Sequence, residues 1–175
     1  IGVSESKGLY DDVITWVLRT IKLVEKNHEL MLYIKTHPAE KYDTQTSLKT
    51  LKEIIILKEK FLPKNVSFIE ADLKIKPYDF FPLIDTGIVY SGTLGLEMLY
   101  GDIPVISVGS TPYRNLGINA EPLDEEEYYN FMTGSKEIKK PSKNLLNTFS
   151  YYYFIRAKMP WNLTLQSYGK RFDGF

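Results

Sequence analysis

Four short, β-branched apolar stretches alternate with segments of helical period, and this alternation constrains the chain more than any other feature. Residues 30–35, 66–70, 86–90 and 104–108 are brief, apolar and bounded by breakers, which marks buried strands rather than helices. Residues 1–4 read as a truncated fifth. Between them, residues 11–26 place Val13, Ile14, Val17, Leu18, Ile21 and Val24 on one helical face, with Asp11 or Asp12 as the cap. A second helix is predicted over 46–61, stopping before Pro63, a short third after Pro77, and a fourth over 94–101. Strands separated by helices imply right-handed βαβ units and parallel pairing. The near-continuous apolar run LMLYI predicts burial on both strand faces. The expected class is α/β, with a Rossmann-like open parallel sheet flanked by helices.

The pattern changes after Gly117, where an acidic patch and then a basic patch read as loop plus short helix. Residues 142–159 then form a last predicted helix, stopped by Pro160. Its aromatic surface exceeds what a lone helix hides, so packing on another layer or domain is expected. The predicted division is 1–141 as the sheet domain and 142–175 as a helix and tail.

Composition narrows the function classes. The chain has 175 residues, enough for one domain with a sizeable core. Lys+Arg and Asp+Glu are both 22, so no basic excess points to nucleic acid. There is no Cys, which removes disulfides, thiolate nucleophiles and Cys-based zinc sites. This usage fits a reducing compartment, and a cytoplasmic location is expected. No apolar run reaches eighteen residues, and the first residues lack signal-peptide character. The chain begins with Ile1 rather than Met, so a piece of a longer protein is expected.

In open α/β sheets, ligands bind beyond the carboxyl ends of the strands. Two polar clusters fall there: Lys35-Thr36-His37-Pro38 and Ser91-Gly92-Thr93. If their strands run the same way, the clusters share one rim. Ser91, Gly92 and Thr93 precede a helix, where free N–H groups, hydroxyls and a side-chain-free glycine suit a phosphate. The competing reading makes Thr93 only an N-cap. Glu97 lies in an otherwise apolar helix, and a capping box with Thr93 would need its acid at position 96, which is Leu96. Glu97 is therefore placed either for ribose hydroxyls or for the helix dipole. His37 is either a donor to a departing phosphate or a turn histidine before proline. Lys35 either faces the same rim or reaches solvent. His28 reads as solvated, and residues 124–127 (DEEE) and KEIKK as surface charge. No cluster has metal-ligand spacing. The sequon Asn162-Leu163-Thr164 is too short a pattern to carry weight.

As a set, KTHPAE after one strand and YSGTLGLEMLYGDIPVISVG around another resemble the capsule polysaccharide biosynthesis glycosyltransferases, which include Kdo transferases. The resemblance covers residues 30–117 best and is to the C-terminal, donor-binding half of a glycosyltransferase-B fold. It implies that His37 stabilises the leaving nucleotide phosphate, that Ser91 and Thr93 bind the same phosphate, and that Glu97 holds ribose or base. The loop GSTPYRNLG would close the pocket edge through Gly109, Tyr113 and Arg114. The implied substrate is a nucleotide-sugar, CMP-activated in the Kdo-like case, with no separate cofactor. A saccharide or glycolipid acceptor would bind an N-terminal domain that also carries the acidic general base. Peripheral association with the inner membrane face fits such an acceptor. Competing classes are a sugar-nucleotide epimerase, a teichoic-acid-type polyol-phosphate transferase, and a non-catalytic nucleotide-binding domain.

Overall fold

The computed structural model describes residues 8–36, 49–70, 73 and 75–158. The chain divides into two compact units, Ile1–Lys140 and Pro141–Phe175. The first holds α1 (Val13–Glu25), β1 (Leu32–Lys35), α2 (Leu51–Glu59), β2 (Val66–Ile69), β3 (Gly87–Val89), α3 (Leu94–Tyr100), β4 (Val105–Ser107) and α4 (Glu125–Met132). The second contains α5 (Lys143–Lys158), where Ser142 Oγ accepts from the Leu145 N–H. The fold is mixed α/β with short parallel strand pairs.

Among the described residues the strands form two separate two-stranded ladders, not the single open sheet expected. β1 pairs with β2 and β3 with β4, both parallel. The first ladder is covered by α1 and α2. Val17, Ile21 and Val24 of α1 and Ile55 of α2 pack on Val66, with Leu32, Ile34 and Phe68 against the same cluster. Here the expectation of burial on both faces fails: Met31 is 57% exposed and Tyr33 49%. Their apolar side chains carry strand propensity but point away from α1 and α2, so LMLYI looked more buried than it is.

The second ladder matches the expectation. Val105, Ile106 and Val108 are fully buried, and Ser107 nearly so. Ile106 and Val108 meet Tyr10, Tyr128 and Phe131 on one side, while α3 packs against both strands of the ladder. A chain reversal returns residue 120 to the ladder, bridging Ile106 to Ala120 in parallel.

α1 serves both cores. Its Trp16 packs against each cluster. The Trp16 indole N–H donates to the Tyr128 hydroxyl at 3.2 Å, and Thr20 Oγ1 lies 3.0 Å from the same oxygen. Asp12 caps the helix, accepting from the Thr15 N–H at 2.8 Å. These contacts, and the hydroxyl of Thr15, hold its carboxyl below the ordinary range. α2 opens with a capping box between Thr50 and Glu53. It starts later than the predicted 46, and residues 46–48 lie outside the described set. The short helix after Pro77 is a 3-10 turn over Pro77–Leu83, consistent with Pro82 withholding an N–H donor.

Candidate functional site

The site begins at the carboxyl end of β3. Gly87, Ile88 and Val89 run into Tyr90, whose ring stacks on Trp16 at 5.7 Å. The chain then turns through Ser91, Gly92 and Thr93, all exposed. Gly92 has φ of +83°, a left-handed conformation that L side chains adopt only under strain, and its α-carbon faces open space. Thr93 occupies the N-cap position of α3 in a right-handed helical conformation, and its side chain makes no cap hydrogen bond. Its carbonyl instead accepts from the N–H groups of Leu96 and Glu97. The plain side-chain-cap reading of Thr93 is thus not met, and its hydroxyl is left to solvent or a ligand.

Glu97 lies one turn into α3 and is partly exposed. The Tyr78 hydroxyl, from the 3-10 turn, donates to Glu97 Oε2 at 2.6 Å. That bond, together with the carboxylate charge, raises the Tyr78 phenol above its ordinary pKa. Dipole complementation alone therefore does not account for Glu97. Tyr78 was missed in sequence because nineteen residues and a turn separate the partners.

Gly109 closes the other side of the strand end. A β-carbon there would fall 2.2 Å from the Tyr90 carbonyl oxygen, so only glycine lets the two strand ends meet this closely. The expected pocket-edge loop is built differently from its sequence reading. Tyr113 is fully buried and is not a rim residue. It lies behind α3, where a β-carbon on Gly95 would sit 2.0 Å from its hydroxyl. Burial pushes its phenol up to about 12, with the nearby Ser107 hydroxyl acting in the opposite sense. Arg114 is spent on the loop: its Nη1 donates to the Gly109 carbonyl at 2.8 Å, and its Nε lies 3.8 Å from Glu121. Glu121 also accepts from the Asn115 N–H, in a turn where Asn115 and Gly117 have positive φ.

The structure thus brings Ser91, Gly92, Thr93, Glu97 and Gly109 to one end of the β3–β4 ladder. Lys35 ends β1 on the other ladder, half-buried, beside Thr36, whose N–H donates to the Ile69 carbonyl. His37 lies outside the described residues. The charges acting on Tyr90 are acidic: after burial, Asp12 and Asp11 raise its phenol. Among the described residues, no group of three His, Asp or Glu could hold a metal ion, and no helix is long and apolar enough to cross a membrane. An open polar depression at the start of α4, near Asp124 and Asn130, is lined in part by the Lys136–Glu127 ion pair.

No family model, curated protein or solved structure matches this chain.

Proposed function

We propose that this chain binds the nucleotide-sugar donor of a glycosyltransferase in surface or capsule polysaccharide biosynthesis. The supporting observation is the exposed Ser91-Gly92-Thr93 turn at the end of a buried strand, with hydroxyls the fold leaves unspent and a carboxylate one turn away. It joins the sequence resemblance of KTHPAE and YSGTLGLEMLYG to that family's donor half. In this reading the parallel pairs belong to the Rossmann-like half of a glycosyltransferase-B fold.

Ser91 and Thr93 bind the donor phosphate, and Gly92 lets it approach the backbone. Positive charge for the phosphate comes from His37, in the role the family resemblance implies, aided by Lys35. Glu97 keeps Oε1 for a ribose hydroxyl while Oε2 serves Tyr78. Transfer is direct displacement at the anomeric carbon: the acceptor oxygen forms the new bond, and the nucleotide phosphate departs with its electron pair, stabilised by His37. The deprotonating carboxylate comes from the acceptor-binding domain that the family carries N-terminal to this one. The reading places the protein in the cytoplasm, at the inner membrane face where such acceptors lie.

Calorimetry with CMP, CDP, UDP and GDP tests the proposal. Binding is expected, with a cytidine nucleotide preferred for a Kdo-like donor. His37→Ala and Glu97→Ala should each weaken it with the thermal transition unchanged. Silence with all four nucleotides overturns the reading.

A further inference from the structure

We infer that Tyr78 is a positioning residue for the nucleotide ribose, acting by fixing the carboxylate of Glu97; the inference rests on the donor-site reading above. A glutamate on a half-exposed helix face ordinarily samples several rotamers, and ordering it on ligand binding costs entropy. Here that freedom is restricted by a single partner. The Tyr78 hydroxyl donates to Glu97 Oε2 at 2.6 Å, a charge-assisted bond of the short, strong kind.

The phenol is itself anchored. Its ring meets Phe81 edge-to-face, centroids 5.3 Å apart. Phe81 in turn lies against Gly101 at the end of α3, where a β-carbon would come within 3.0 Å of its ring. The turn is stiffened by Pro77 and Pro82, and the Lys76 N–H donates to Asp79 Oδ2 at 2.9 Å. The Pro77–Leu83 turn therefore grips α3 at two places, Glu97 and Gly101. Because the phenol occupies Oε2 only, Oε1 remains to accept from a ribose hydroxyl. Tyr78 touches no reacting atom; it determines how well the carboxylate discriminates a ribose that has hydroxyls from one that lacks them.

The test compares wild type and Tyr78→Phe by calorimetry with CMP and with 2′,3′-dideoxy-CMP. Wild type is expected to prefer CMP. Tyr78→Phe should weaken CMP about fivefold, the net scale of one ordinary hydrogen bond, and leave the dideoxy nucleotide unchanged. A second readout needs no ligand: the Tyr78 ring, followed by NMR, should titrate at lower pH in Glu97→Gln than in wild type. Equal loss for both nucleotides, or no loss for either, overturns the positioning role while leaving the donor site standing. An unchanged Tyr78 titration in Glu97→Gln overturns the contact itself. If wild type binds CDP, UDP or GDP rather than CMP, the same comparison is made with that nucleotide and its 2′,3′-dideoxy form; wild type silent with all four overturns the donor-site reading and this inference with it.

Discussion

Two glycines decide how closely α3 and the strand ends can approach, and they differ in what opposes a side chain. At Gly95 the obstacle is a side chain, the Tyr113 hydroxyl at 2.0 Å, with Val105 at 3.3 Å. At Gly109 it is backbone, the Tyr90 carbonyl at 2.2 Å. Gly95→Ala should therefore cost roughly 1–3 kcal/mol by overpacking, and Tyr113→Phe should recover part of that by removing the clashing oxygen. The Gly109→Ala loss should be the larger, with no recovery in the Tyr113→Phe background, because a carbonyl cannot be trimmed. Urea midpoints of the single and double variants check this. Equal rescue of both glycine variants would show that loop adjustment, not the specific contact, sets the cost.

At the scale of elements, the turn between α1 and β1 depends on a single side chain. Asn65, buried just before β2, donates its amide to the carbonyls of Val24, Asn27 and Leu30 at 3.0, 3.1 and 2.9 Å. One side chain thus ends the helix, shapes the turn and leads into the strand. Asn65→Ala should destabilise by about 2 kcal/mol, since it orphans carbonyls that are partly or wholly buried. Asn65→Asp, nearly identical in shape, should be worse, because it turns an acceptor toward three acceptors. Denaturant unfolding gives the comparison, and an aspartate variant as stable as wild type would remove Asn65 from this role. These examples show what the sequence can reveal. α1 was legible because one-sided burial writes a 3.6-residue period into its apolar positions, and its Asp12 cap is a local signal. β4 was legible because burial on both faces leaves a short apolar run interrupted only by Ser107. β1 was misjudged because Met31 and Tyr33 are apolar yet face outward. The strand-end turn at 91–93 was legible as a strand–glycine–helix junction. The Tyr78–Glu97 bond and the burial of Tyr113 were not, since each depends on elements distant in sequence meeting in space, and GSTPYRNLG has the composition of a surface loop.

Within the Ile1–Lys140 unit, Trp16 joins the two cores and buried phenols cluster on the β3–β4 side, which makes alkaline pH a probe of the whole. Burial pushes Tyr128 up to about 12, against hydrogen bonds with Thr20 and Trp16 that pull it down. Burial does the same to Tyr113, also to about 12. Burial and the Glu125 carboxylate raise Tyr10 as well. For a phenol raised on folding, the unfolded chain loses its proton first. The stabilisation is therefore complete below the ordinary value of 10.0 and falls as pH rises toward the folded value of about 12. Across that interval each such tyrosine shifts the unfolding equilibrium by roughly tenfold per pH unit. None of these three phenols lies in the β1–β2 core. If α1 couples the cores, the β1–β2 ladder must nevertheless unfold with them, although nothing in its own cluster titrates there. Helix loss by circular dichroism and tyrosinate absorbance should then rise together above pH 10. Tyr128→Phe should lower stability at neutral pH, where the Thr20 and Trp16 contacts are lost, yet flatten the alkaline slope by one proton. Two separate transitions, with helix signal surviving after the buried tyrosines have ionised, would mean that Trp16 touches both cores without coupling them.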